Sequence, residues 1–451
     1  MVLKRFVGFR NNIRLHLSPD YLLVIDKRND PFHVSYYNNA AKKIFTQIDG
    51  KKTIKDILFE VYGNEWEEKK DYFQRFFDEE QKKKILRFSE DKINDQNIEK
   101  TGSENYYVPI HLSFEMTTQC NFNCVYCYNE FHKEDKELSV NEIFEVLEKW
   151  TRYGLIGLEL TGGEPLARSD FWEILKRLPD EISNISLLTN GSLLSEDHIK
   201  KIVNYNKIKW ISVSLDALDE TVFQKLTGSK GLLEKVKQNC QTIIKNGLKL
   251  RITSVVSKIN YQQLPKIAEF AHGIGAHAFS FSPVTPFGKG QQLAWNWNDE
   301  SSFREYVDME MGIKARYPDL VRSIKKDEMD EVIDFMKNCG VPHKNITMDP
   351  NGNLKVCNLL SDKYYAFLGN IRERSLVSIF RSQKYEFLSR IKAPGQFEKC
   401  SRCRFYTYCY NCIARALSVF KKEKKLCHWA QRNNIKEIFP LFSEYDKIDY
   451  F

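Results

Sequence analysis

The chain has 451 residues, enough for two or three domains, and 68 Lys and Arg against 60 Asp and Glu leave a formal net charge of only +8. So mild a surplus, with acidic residues interspersed, argues against nucleic acid as the main substrate and suits weak attraction to an acidic peptide. The N-terminus lacks the apolar run of a signal peptide and no window is apolar for long enough to span a bilayer, so the sequence predicts a soluble, cytoplasmic protein. Ten of the eleven cysteines fall into two groups, residues 120–127 and 339–427, which reads as metal ligation in a reducing compartment and not as a disulfide framework.

Residues 1–90 form the first block. Tyr21–Asp26 and His33–Tyr37 read as strands from their β-branched and aromatic content, with the turn signal Arg28-Asn-Asp-Pro31 between them. Asn38 or Asn39 can cap a short helix through Gln47, and Thr53 a second carrying Ile54, Ile57, Leu58 and Val61 at helical spacing. A third helix, about Glu65 to Lys83, is predicted to show Tyr72, Phe73, Phe76 and Phe77 on one side, with a closing strand over residues 85–88. This is the pattern of a small winged helix. The segment from Tyr37 to Leu58 resembles the precursor-peptide recognition element of peptide-maturing enzymes, and the resemblance implies that a leader peptide adds as an extra strand.

The polar stretch that follows reads as a linker, placed at 91–106. From Tyr107 the pattern alternates strand and helix. Candidate strands are 110–115, 156–160, 185–189, 210–215, 249–256 and 277–282. Ser139 and Glu142 make a capping box for a helix with Ile143, Leu147 and Trp150 on one face, and Gly154 lies beyond its end. Cys240 falls in the apolar stripe Leu233, Val236, Cys240, Ile243 and is read as a buried hydrophobe. Strict alternation implies a parallel sheet with outer helices, and six units suit an open partial barrel over 107–310. A connecting helical region (311–338) and a less regular block (339–451) follow.

Cys120, Cys124 and Cys127, spaced C-x3-C-x2-C, sit in the loop after the first of these strands, where ligands collect in parallel barrels. Three thiolates can hold three irons of a 4Fe-4S cube and leave the fourth open. Zinc knuckles, by contrast, use C-x2-C pairs with a fourth ligand nearby, and the next Cys or His is His132. Later loops add Thr161-Gly162-Gly163-Glu164-Pro165, then Thr189-Asn190-Gly191, then Ser212-Val-Ser214-Leu-Asp216. In this order the motifs over 107–310 resemble the radical S-adenosylmethionine (SAM) superfamily. The resemblance implies that the open iron binds SAM, and that Gly162, Gly163 and Glu164 meet its methionine amino group. It further implies that Asn190, Ser214 and Asp216 face SAM or substrate, and that Tyr126 lies near the adenine. Where relatives carry an arginine before the glycine after the fourth strand, this chain has Thr227 before Gly228, so that contact is left unassigned between Lys225 and Lys230.

The last block carries Cys339, Cys357, Cys400, Cys403, Cys409, Cys412 and Cys427, with Gly352 between the first two. This resembles the SPASM extension of radical SAM peptide-modifying enzymes, which implies two auxiliary 4Fe-4S clusters and three in all. A zinc ribbon is the competing reading. By resemblance Cys400, Cys403, Cys409 and Cys427 complete the outer cluster. Seven thiolates are one short of two full ligand sets, so Cys339, Cys357 and Cys412 are left for an inner cluster with an open iron.

Recognition element, barrel and SPASM tail together resemble maturases of ribosomally made peptides, and most of all the thioether-forming sactipeptide and ranthipeptide type. That implies a radical SAM oxidoreductase that joins a cysteine sulfur to carbon in a precursor peptide, supplied with electrons by a donor such as flavodoxin or ferredoxin. Carbon–carbon cross-linking, epimerisation, or oxidation of a sulfatase Cys or Ser are the enzymatic alternatives, and a zinc-bearing binding protein is the non-catalytic one.

Overall fold

The structure is a computed structural model describing residues 2–129, 136–293, 300–321, 340–360, 367–403, 405–410, 412–423 and 427–435. It divides into two compact units, residues 1–108 with 152–156, and residues 109–151 with 157–451. Among the described residues no helix is long and apolar enough to cross a membrane.

In the first unit, strands β1 (Phe6–Phe9), β2 (Ile13–Leu17), β3 (Tyr21–Asp26) and β4 (His33–Asn38) precede helices α1 (Asn39–Phe45), α2 (Ile54–Tyr62) and α3 (Lys70–Lys82). Then come β5 (Leu86–Ser89) and β6 (Glu99–Gly102). β1 pairs with β5, and a separate four-stranded sheet runs β4-β3-β2-β6. Asn38 caps α1 by accepting from Ala41 N at 3.0 Å, and Thr53 with Asp56 closes a capping box on α2. The core gathers Leu15, Leu22, Val24, Phe45, Ile57, Leu58, Phe73 and Phe77. Three expectations change. A 3-10 turn (Gly63–Lys69) precedes α3, whose inner face is Phe73 and Phe77, four apart, while Tyr72 is 59% exposed. β1 and β2 were not foreseen. The expected linker contains β6, which lies parallel to β2. Its anchor is His16, fully buried, whose Nε2–H donates to Val108 O at 3.0 Å while Nδ1 accepts from the Thr101 hydroxyl at 3.1 Å. Burial holds the imidazole neutral, pushing its pKa down to about 4.

The second unit is built on six parallel strands lying side by side in chain order: β7 (His111–Glu115), β8 (Gly157–Thr161), β9 (Asn184–Thr189), β10 (Ile208–Ser214), β11 (Lys249–Val256) and β12 (Ala278–Pro283). Helices α4 (Val140–Tyr153), α5 (Phe171–Arg177), α6 (Glu196–Tyr205), α7 (Glu220–Thr227), α8 (Leu233–Lys245) and α9 (Leu264–Gly273) stand between them. Strand burial alternates with period two: Leu250, Ile252 and Val256 of β11 are fully buried on the helix side, with Lys249, Arg251 and Thr253 on the other face. Trp150 of α4 is fully buried, its indole donating to Pro109 O at 3.1 Å, and Cys240 is fully buried in α8. After α10 (Glu300–Arg316), β13 (Asn345–Met348) joins β7 in parallel, and β14 (Asn353–Lys355) and β15 (Phe367–Asn370) extend the sheet antiparallel. Helices α11 (Leu376–Phe380), α12 (Gln383–Arg390), α13 (Glu398–Ser401), α14 (Tyr406–Cys409), α15 (Ile413–Glu423) and α16 (His428–Arg432) complete it. Cys339 and most of the expected connecting region 311–338 lie outside the described residues.

Candidate active site

The loop 117–128 leaves the carboxyl end of β7 and is tied down by the ends of four other strand–loop units. From β8, Gly163 N donates to Thr117 O at 2.8 Å and Glu164 N to Gln119 O at 2.7 Å. That approach requires glycine: Gly162 has φ +134°, and a Cβ on Gly163 would stand 2.1 Å from Gln119 O. From β9, Asn190 Nδ2 donates to Asn121 Oδ1 at 2.9 Å, and Asn121 Nδ2 donates to Ser192 Oγ at 2.8 Å. Past β10, the last turn of α7 offers its carbonyls, taking Asn123 N on Thr227 O (2.8 Å) and Val125 N on Leu226 O (2.9 Å). From β12, Lys289 N donates to Cys127 O at 2.9 Å, and Lys289 Nζ reaches Asn123 Oδ1. Thr227 thus contributes a backbone carbonyl to the cysteine loop.

Two buried carboxylates do the anchoring beneath this loop. Glu164 is fully buried and accepts from Thr189 Oγ1 (2.7 Å), Asn190 N (2.7 Å) and Leu166 N (3.2 Å). Burial raises its pKa to about 7 against those bonds. Asp216, 2% exposed, accepts the Tyr126 hydroxyl on one oxygen and Val255 N on the other at 2.7 Å, and burial raises it to about 6. Both side chains are buried and hydrogen-bonded to neighbouring strand ends. Tyr126, expected beside an adenine, spends its hydroxyl on Asp216. Ser214 is exposed at the end of β10, and Asn190 sits at the end of β9 with its oxygen taken by Ser192 N and Oγ.

Cys120 is exposed, and Cys124 and Cys127 are half-buried. Burial pushes the Cys124 thiol up to about 12, with Asp216, Cys127 and Cys120 adding negative charge. Cys120 and Cys127 are raised by burial as well. The three thiols belong to one loop, and Cys120 and Cys124 each lie within electrostatic reach of Cys127. Among the described residues no three His, Cys, Asp or Glu side chains converge on a single metal-ion position.

A second polar group lies beside this loop. Glu115 ends β7 fully buried, with Lys355 Nζ of β14 at 2.7 Å and the Tyr128 hydroxyl at 3.5 Å. Burial raises Glu115 in spite of Lys355. Burial, then the charges of Glu115, Cys127, Glu159 and Cys357, raise the Tyr128 hydroxyl. Sequence reasoning missed this pair, since 240 residues separate its members; the one signal was a Glu at the end of the first barrel strand.

In the C-terminal block Cys400 is raised to about 11 by burial, then by Cys427 and Cys403. Cys409 is raised by burial, then by Cys427, Cys403 and Cys412. Cys403 and Cys427 therefore lie within electrostatic reach of both Cys400 and Cys409, and Cys412 within reach of Cys409. Cys412 precedes α15, whose Arg415 N points at its sulfur from 3.5 Å, and Arg415 Nη2 donates to Pro283 O at the end of β12 (3.4 Å).

A parallel α/β sheet with a three-cysteine loop fixed over its carboxyl edge, extended by a second set of cysteines, defines an iron–sulfur protein. The chain belongs to the radical SAM superfamily, whose profile matches residues 114–271, and the SPASM iron–sulfur cluster-binding domain matches residues 339–404. It is similar to the antilisterial bacteriocin subtilosin biosynthesis protein AlbA of Bacillus subtilis, 26% identical over 98% of this chain and 100% of that one. A probable GTP 3′,8-cyclase of Sulfurisphaera tokodaii is 30% identical over 63% of this chain and 93% of its own. The crystal structure of Streptococcus suis SuiB bound to precursor peptide SuiA superposes with a TM-score of 0.59 at 17% identity, covering 91% of this chain and 97% of that one. Membership implies SAM and 4Fe-4S clusters as cofactors.

Proposed function

We propose that this chain is a radical SAM maturase of a ribosomally made peptide, forming thioether bonds between cysteine sulfur and carbon in a precursor. The observation that carries this reading is similarity to AlbA along the whole of both chains, N-terminal unit and cysteine tail included. SuiB, solved bound to the precursor peptide SuiA, shares the fold over 91% of this chain and supports a peptide as partner.

In this reading Cys120, Cys124 and Cys127 hold the SAM-binding cluster, which supplies the reductive cleavage of SAM that starts hydrogen abstraction from the peptide. The chain's own part is position. Gly162 and Gly163 let the β8 loop come against the cysteine loop, and Asn190 and Ser214 present polar groups at the rim for SAM. Asp216 and Glu164 fix that rim from below. Cys400, Cys403, Cys409 and Cys427 hold an outer auxiliary cluster. Cys339, Cys357 and Cys412 hold an inner one with an open iron for the substrate thiol, making three clusters. A flavodoxin or ferredoxin donates the electrons, and the first unit, as a winged-helix recognition domain, binds the leader.

The test is anaerobic incubation of the reconstituted chain with SAM, reductant and any short cysteine-containing peptide that sequencing finds encoded beside its gene, followed by mass spectrometry and thiol alkylation. A loss of two hydrogens per link together with loss of an alkylatable thiol is expected. Loss of two hydrogens with every thiol still free would replace thioether formation by carbon–carbon linkage.

A further inference from the structure

The inner face of β10 and β11 carries a cationic site to which the assignments above give no role. On this face Trp210 pairs in register with Lys249, Ser212 with Arg251, and Ser214 with Thr253. The Arg251 guanidinium lies 5.4 Å from the centre of the Trp210 ring, and Lys249 Nζ lies 5.6 Å from it. Among the described residues neither cation has a carboxylate partner and the Arg251 guanidinium donates no hydrogen bond, although Arg251 is half-buried. Beside Arg251, Ser212 is 2% exposed and its hydroxyl has no partner among the described residues. A buried hydroxyl without a partner costs free energy and marks a group placed for something else.

Stacking on an indole fixes the plane of a guanidinium and leaves its edge donors free, the arrangement that favours two-point binding of a carboxylate. Ser212 adds a third donor at the same level. Arg251 precedes Thr253 by two positions, so it lies about 7 Å below the rim residue Ser214. An extended peptide covers that distance in two residues. We propose that Arg251, held on Trp210 and helped by Ser212, receives a carboxylate of the peptide substrate within about two residues of the position that is modified. This rests on the reading of the chain as a peptide-modifying enzyme and assigns Arg251 a specificity role.

The test is fluorescence anisotropy on the full, anaerobically reconstituted chain with three labelled synthetic hexapeptides. The first is Gly-Ser-Cys-Gly-Asp-Gly amide, the second its Asn counterpart, and the third the Asn peptide with a free C-terminal carboxylate. The Asp peptide should bind at least tenfold tighter than its Asn counterpart. The Arg251→Gln variant should abolish that preference, and Arg251→Lys, keeping the charge without the fork, should retain part of it. A free-carboxylate peptide matching the Asp peptide would place the chain end, not a side chain, in the site. Equal affinities, no binding by any of the three, or a preference that survives in Arg251→Gln would overturn the inference. Binding is read without turnover, so a wild-type chain that prefers the Asp peptide yet modifies no precursor would sink the maturase reading and leave this one standing.

Discussion

The two cysteine sets of this chain are held in opposite ways. Around Cys120, Cys124 and Cys127 the backbone bonds reach far along the sequence, to Gly163, Leu226, Thr227 and Lys289. Around Cys400, Cys403, Cys409 and Cys412 most stay within a turn, Cys403 N to Cys400 O, Cys409 N to Phe405 O and Cys412 N to Cys409 O, all at 2.9 Å, while Gly395 N reaches Tyr410 O at 2.6 Å. The helices there, Glu398–Ser401 and Tyr406–Cys409, are four residues each, too short to be stable unaided. The barrel loop is shaped by protein before metal arrives. The tail is expected to depend on the metal ligation proposed for its cysteines.

The largest expected effect tests that contrast directly. Chelating the iron should erase hydrogen-exchange protection over 398–432 while leaving 117–128 and the strands beneath it protected. Alanine at Cys120, Cys124 or Cys127 should abolish 5′-deoxyadenosine formation without lowering the melting temperature of the barrel. Equal loss of protection in both regions would break the comparison.

Next in size is Asp216→Ala, which strands the Tyr126 hydroxyl and Val255 N–H inside the protein. A cost of roughly 2–4 kcal/mol is expected in urea unfolding, from two buried groups left unpaired. SAM cleavage should fall with it, because the cysteine loop loses its tie to β10. Asp216→Asn, which keeps an acceptor, should recover much of the stability.

The first unit serves as a control that owes nothing to metal. His16 is neutral in the fold with a pKa near 4 against 6.5 when exposed, so between those values the unfolded chain carries the extra proton. Stability is therefore full above pH 6.5 and falls as pH drops toward 4, by on the order of 3 kcal/mol. Hydrogen exchange at residues 13–17 and 99–102 should show the loss, and His16→Asn should flatten it. Smallest is Thr53→Ala, which removes the cap of α2 and should cost about 1 kcal/mol of that unit's stability.

What was legible in the sequence was whatever local chemistry dictates. Each of the six parallel strands lies within two residues of its expected position, because β-branched runs bounded by turns carry that information. The caps at Thr53 and Ser139 were readable from residue type, although Glu142 turned out to serve Arg372 as well, at 2.6 Å. β6 was not readable: Glu-Lys-Thr-Gly has no strand composition, and its pairing rests on backbone bonds and on His16, 85 residues away. Nor could residue type reveal that Asp216 and Glu164 turn inward, since an acid at the end of a strand serves equally as ligand or as anchor. Backbone acceptors such as Leu226 O and Thr227 O leave no mark in a sequence at all.

The most direct measurement is electron paramagnetic resonance of the dithionite-reduced, reconstituted chain, with and without SAM. A cubane signal whose shape changes when SAM is added, and whose SAM-sensitive component disappears in Cys124→Ala, is the predicted result. A spectrum indifferent to SAM, or one unchanged by that substitution, would contradict the assignment of these three sulfurs to the reactive centre.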